Sequence, residues 1–204
     1  MSEIRVENII GETGTDAVNF TKGVNVTGIV TATSFAGSGA ALTGVSAGKI
    51  LQVAQAAKTD VASTTSSSFA TISGLTINIT PSATSNKILI TVDVKIGNNS
   101  GAGAYIKLVR NGNTDIYKGD TASNRTPCLQ QTYGGSDTGE GLYGMAKMGG
   151  TFLDSPNTTS QVTYAVYWMR MNSATLYTNR CGSETHTQYE GRAASSITVM
   201  EIAG

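Results

Sequence analysis

The sequence predicts an all-β protein, a β-sandwich head of the jelly-roll kind preceded by an extended N-terminal β arm, and three observations lead there. Thr contributes 29 of the 204 residues, Gly 24, Ser 20 and Asn 13, while only 14% of the chain is charged, which is the composition of strands and turns. Apolar residues recur with a period of two, as in Ile88, Ile90, Val92, Val94 and Ile96 and again in Val162, Tyr164, Val166 and Trp168. Turn residues close these runs at short intervals, with no convincing helical period between them.

Residues 1 to 48 form the arm. Short alternating stretches such as Ile4, Val6 and Val24, Val26 are broken by Gly11, Gly14, Gly23, Gly28, Gly37, Gly39 and Gly44, and Phe20 and Phe35 are the only rings. So little apolar surface cannot offset the entropy of ordering the segment alone. The arm therefore needs partners; the alternative is a flexible tail that orders only on docking.

The head spans residues 49 to 204 and holds all eight Tyr and the single Trp, from Tyr105 onward. Strands are predicted at roughly 49–56, 68–80, 87–97, 104–110, 113–118, 143–153, 161–171, 174–179 and 195–202. Between Leu51 and Thr59, where Ala54, Ala56 and Ala57 also permit helix, strand is the preferred reading. Asn111-Gly112 between Leu108-Val109 and Ile116-Tyr117 is a strong hairpin signal, and Pro81-Ser82, Asn98-Asn-Ser-Gly101 and Asp154-Ser-Pro-Asn157 mark further turns. Eight or nine strands at this spacing suit a sandwich. Tyr164, Val166 and Trp168 share one strand face and are read as core or subunit packing rather than a ligand platform.

Several functions are disfavoured. Lys plus Arg equals Asp plus Glu at 14 each, so no net field attracts nucleic acid or an anionic bilayer. Apolar runs are of strand length, far below the ~20 residues of a membrane span, so no membrane insertion is expected. The acidic opening Met-Ser-Glu-Ile-Arg-Val-Glu does not read as a secretory leader, and the chain is expected to be made in a cytosol. Cys128 and Cys181 stand 53 positions apart and are expected to be buried free thiols. Gly39 to Gly44 resembles a phosphate loop in spacing but is followed by Val45-Ser46, without the required lysine. His186 is the only histidine, with no oriented partner for catalysis and no second histidine to form a metal pair. No catalytic residue, metal or cofactor is assigned, and the six Asn-x-Ser/Thr matches carry no weight without a secretory route.

Two loops draw attention. The segment 119–141 contains Asn124, Arg125, Gln131, Tyr133 and Asp137, and the segment 179–192 contains Arg180, His186 and Tyr189. Amide, guanidinium and phenol groups together hydrogen-bond sugar hydroxyls and stack on sugar rings. These residues are the candidates for contact with a host surface glycan or outer-membrane protein, against the plainer reading of trimer interface or solvated loop.

Gly28-Ile-Val-Thr-Ala-Thr-Ser-Phe-Ala-Gly-Ser-Gly-Ala-Ala-Leu-Thr-Gly44 resembles the linker motif of tail-fibre-like proteins of marine tailed phages, cyanophages especially. The opening Met1-Ser-Glu-Ile-Arg-Val-Glu-Asn is similar to theirs, as are Ser85-Asn-Lys-Ile-Leu-Ile, Phe152-Leu-Asp-Ser-Pro and Ser195-Ser-Ile-Thr-Val-Met-Glu-Ile. The resemblance covers most of the chain and implies a virion protein, assembled in the host cytoplasm: an intertwined homotrimeric fibre with an attachment arm, a β shaft and a C-terminal head. Three copies about one axis would satisfy unpaired strand edges and pool the sparse apolar faces. On this reading Ile4, Val6, Ile9, Phe20, Val24 and Val26 carry trimer contacts and attachment to other virion proteins. A capsid-decorating or baseplate piece without receptor contact is the alternative, and a glycan-processing enzyme a distant third.

Overall fold

A computed structural model describes residues 22, 24–31, 49–100, 103–132 and 140–204. The chain divides into two compact units, Met1–Gly44 and Val45–Gly204. In the first, residues 24–31 are irregular, so Val24 and Val26 lie outside any strand, and Val24, Val26, Ile29 and Val30 are all exposed. Ile4, Val6, Ile9 and Phe20 fall outside the described residues.

The second unit is nearly all β. Its strands are β1 (Ile50–Lys58), β2 (Ser63–Thr64), β3 (Ala70–Ile79), β4 (Lys87–Asn98), β5 (Ala104–Arg110), β6 (Thr114–Ile116), β7 (Gln130–Thr132), β8 (Ala146–Asp154), β9 (Val162–Arg170), β10 (Leu176–Thr178) and β11 (Ser195–Ile202), with one helical turn, α1, at Glu140–Tyr143. The ambiguous alanine-rich stretch is strand, because Ala54 and Ala56 pair with Val199 and Ile197 of β11. Three elements differ from expectation, the first being strand β2 at Ser63–Thr64, where the sequence predicts no strand. Strand β7 lies inside the segment 119–141 expected to be loop, and the strand expected from residue 143 begins at Ala146, after α1.

All pairings are antiparallel and fall into two sheets. In the first, β4 is flanked on one side by β8 and on the other by β11 and then β10, with β1 beyond β11 and β2 beyond β10. In the second, the order is β3, β9, β5, and the far side of β5 carries β6 and then β7. The sheets curl toward each other: β3 lies alongside β1 and β11, and β7 alongside β8. At the latter edge the Gly149 amide donates to Gln130 Oε1 at 2.7 Å. Gly149 has φ +154°, and a Cβ there would stand 1.9 Å from the Val92 carbonyl oxygen, so the β4–β8 contact admits no side chain.

Alternation explains the core. Ile88, Ile90, Val92, Val94 and Ile96 of β4 point inward with Ile197, Val199 and Met148. They meet Ile72, Leu75, Ile77 and Ile79 of β3, Ile106 and Leu108 of β5, and Tyr164, Val166 and Trp168 of β9 in one cluster. Each such side chain contributes roughly 1.5–3 kcal/mol by leaving water, before the entropy of ordering is counted. The hairpin from β5 to β6 turns at Asn111 and Gly112, both at positive φ (51° and 77°), and the Asn111 side chain accepts from Thr163 N of β9 at 2.9 Å.

Two buried carboxylates lie in this framework. Asp154 accepts from Arg110 Nη1 at 2.9 and 2.8 Å and from the Tyr164 hydroxyl at 2.6 Å. Burial first, then Asp154, raises the Tyr164 phenol well above its usual range. Glu201, 1% exposed, accepts from Gln52 Nε2, Ser82 N, Ser82 Oγ and Asn86 Nδ2 at 2.6–2.8 Å. Burial pushes this acid up, but the donors outweigh it and hold the pKa at about 2. Cys181 is buried, Cys128 half-buried, and both are free thiols.

Candidate functional site: two clefts on interrupted strands

Each sheet contains one strand line that the chain leaves and rejoins. In the first sheet Thr178 of β10 pairs with Ile96 and Ser196 of β11 with Asp93, so β10 and β11 occupy the same side of β4 in succession. The chain between them, 179–194, grows out of the sheet. In the second sheet Ile116 of β6 pairs with Leu108 and Thr132 of β7 with Ala104, and residues 117–129 form the corresponding outgrowth.

The base of the 179–194 outgrowth is fixed by Asn179, fully buried at φ +61°, a conformation Asn tolerates better than most residues. Its Nδ2 donates to the carbonyls of Lys58 (2.8 Å) and Asp60 (3.0 Å), and its Oδ1 accepts from Ser195 Oγ (2.6 Å). One side chain thus ties β1 and β11 across the break. Arg180 and Arg192 form an antiparallel bridge just above, and Gly182 passes so close to β4 that a Cβ would stand 1.8 Å from Asn98 O.

Further out, Glu190 organises the loop. Its carboxylate accepts from Thr185 N, Ser183 Oγ, Thr185 Oγ1, His186 N and Thr187 N at 2.6–3.3 Å. The Thr185 backbone bond leads in holding its pKa at about 2. A cleft of about 280 Å³ opens between Arg180, Glu184, His186, Thr187, Glu190 and Arg192. Glu184 faces both guanidiniums, with Oε2 2.9 Å from Arg180 Nη1 and Oε1 bonded by Arg192 Nη2.

The other outgrowth begins at Tyr117, whose ring stacks on Phe152 with centroids 5.0 Å apart. Gly119 N bonds Cys128 O at 3.1 Å to close the loop, and Arg125 N bonds Ala122 O at 3.1 Å in a turn at its tip. A polar cleft of about 500 Å³ lies beside it, lined by Tyr105, Asp120, Asn124, Arg125, Cys128 and Gln131.

The sequence-derived candidates therefore fall in two groups. Asn124, Arg125 and Gln131 share the cleft of the 117–129 outgrowth, and Arg180 and His186 share that of the 179–194 outgrowth. Tyr189 is 69% exposed and lines neither, while Tyr133 and Asp137 lie outside the described residues. Sequence reasoning missed Tyr105, which enters its cleft from β5, and Arg192, whose approach to Arg180 depends on the bridge at the loop base. No group of three or more His, Cys, Asp or Glu is placed to hold a metal ion among the described residues.

A third surface is apolar. On the outward face of the first sheet, Val53, Met200, Leu89 and Leu153 are successive cross-strand partners from β1 through β11 and β4 to β8. Val53 is 58% and Leu153 44% exposed, and Ile50 and Leu51 are also exposed at the start of β1. The next row, Gln55, Thr198, Thr91 and Thr151, is polar and hydrogen-bonded within itself. No known family model matches the chain, and no curated protein matches it.

Proposed function

We propose that this chain is a structural protein of a tailed-phage particle. It is a homotrimeric tail fibre with a jelly-roll-like β-sandwich head that meets a host surface glycan or outer-membrane protein, and an N-terminal arm that joins other virion proteins. The observation that carries the receptor role is the pair of polar clefts, each built on a loop that leaves and rejoins a strand of a packed β framework. Binding residues on loops held by a rigid scaffold combine variable chemistry with fixed position. No catalysis, metal or cofactor belongs to this reading.

The apolar row Val53–Met200–Leu89–Leu153 supports association of heads. It presents exposed apolar side chains in one row on the outward face of the first sheet, the kind of surface that copies of a chain cover in one another. Light scattering of the purified chain is expected to give three copies, and Val53→Asp with Leu153→Asp to give fewer. A monomeric wild-type chain would remove the fibre reading.

A capsid-decorating or baseplate piece without receptor contact is the second reading, favoured by Glu184 and Glu190 already engaging partners within their own loop. Adsorption separates the two: Arg125→Ala or Tyr189→Ala lowers host attachment if the head is the adhesin and leaves it unchanged if the head is decoration.

A further inference from the structure

The cleft of the 179–194 outgrowth pairs its charges unevenly. Its walls carry two guanidiniums and two carboxylates. Glu190, however, turns into its own loop and accepts three backbone and two hydroxyl donors, so its charge is already solvated. Glu184 is left as the single counter-ion for Arg180 and Arg192. Arg180 is 9% exposed, with its guanidinium carbon over the Tyr177 ring, 3.6 Å from the centroid. Its Nη1, though 2.9 Å from Glu184 Oε2, makes no well-directed hydrogen bond among the described residues. One carboxylate shared between two guanidiniums leaves donor hydrogens on Arg180 and Arg192 that a further anionic oxygen can take. The Arg192 side chain is 56% exposed.

We propose that this cleft takes the anionic oxygen group, a carboxylate or a sulfate ester, of an acidic sugar. The two guanidiniums receive the anion in place of Glu184, while the hydroxyl of Thr187 and the backbone at Gly191 face the ring hydroxyls. A sugar fits better than a peptide acid. The lining is Arg, Ser, His, Thr, Glu and Gly around one buried Cys, without the aliphatic or aromatic anchor that protein contacts use, and about 280 Å³ suits a single ring. The assignment rests on the receptor-contact reading above and gives that contact a ligand class.

The test is titration of the full chain with glucuronate, glucose 6-sulfate, glucose and inorganic sulfate at matched ionic strength, read by ligand-observed NMR. Both acidic sugars are expected to bind about tenfold more tightly than glucose, as charge-assisted hydrogen bonds require, and the stronger of the two identifies carboxylate or sulfate as the natural group. Arg192→Ala is expected to weaken acidic-sugar binding about tenfold with an unchanged melting temperature. Glu184→Gln, which removes the internal competitor, is expected to tighten it several-fold, an effect that a purely structural ion pair would not produce. Equal affinity for glucose, inorganic sulfate competing as well as either sugar, or indifference to Arg192→Ala would each overturn the assignment. Sugar binding lost in Arg192→Ala with host attachment intact would instead retain the acidic-sugar site and remove its receptor role. Attachment lost in Arg125→Ala without any acidic-sugar binding would do the reverse.

Discussion

Replacing Asn179 with alanine is expected to destabilise the head by about 4 kcal/mol. The side chain makes three hydrogen bonds, to Lys58 O, Asp60 O and Ser195 Oγ, at a fully buried position. At ~1 kcal/mol for each neutral bond this amounts to ~3 kcal/mol. Alanine must also hold φ near +61°, a left-handed conformation that costs it ~1 kcal/mol more than it costs Asn. For a domain of this size ~4 kcal/mol lowers the melting temperature by about 8–16 °C. Urea unfolding followed by circular dichroism, at one fixed protein concentration because association shifts apparent stability, measures the change. Asn179→Gly divides the two contributions: glycine accepts the backbone angle freely and should remain ~1 kcal/mol more stable than alanine. If alanine costs under ~1 kcal/mol, or glycine restores wild-type stability, the side-chain bonds do not hold the break in the strand line and the argument for a rigid base fails.

Three further outcomes follow from the framework. Asp154→Ala strands the Arg110 guanidinium and the Tyr164 hydroxyl and should cost ~3–5 kcal/mol, against ~1–2 for Tyr164→Phe, with a double-mutant cycle on the two residues showing strong coupling. Glu201 has its folded pKa lowered to about 2 from 4.5, so its stabilisation is complete above about pH 4.5 and is lost as pH falls through about 2; unfolding midpoints should decline across that window, and less so in Glu201→Gln. Gly149→Ala places a methyl against the Val92 carbonyl at an angle alanine resists and should cost ~2–4 kcal/mol, read as a lower urea midpoint.

Much of the β content was legible because it depends on local rules. The alternation in Ile88–Ile96 and Val162–Trp168 marks inward faces directly, and Asn111-Gly112 names its own turn. What escaped the sequence depends on distant pairing. That β10 and β11 continue one line follows only from their shared partner β4, and two- or three-residue strands such as β2 and β7 have too few side chains to show a period. For the same reason Arg180 and Arg192 could not be matched in advance, nor could Glu201 be read as a buried acid fed by Gln52, Ser82 and Asn86 from more than a hundred positions away. The loop candidates Asn124, Arg125 and Gln131 were reachable because they sit close in sequence, whereas Tyr105 comes from another strand.

The break between Thr178 and Ser195 also bears on how this protein tolerates change. Hydrogen bonding to β4 is complete up to one residue and resumes at the other, so the sheet does not register how many residues lie between. Doubling such a segment adds only ~0.6 kcal/mol of closure entropy. Foreign peptides spliced between Ser183 and Glu190 would therefore be displayed on an intact sheet, making the position a socket whose contents can be exchanged while the frame stays the same.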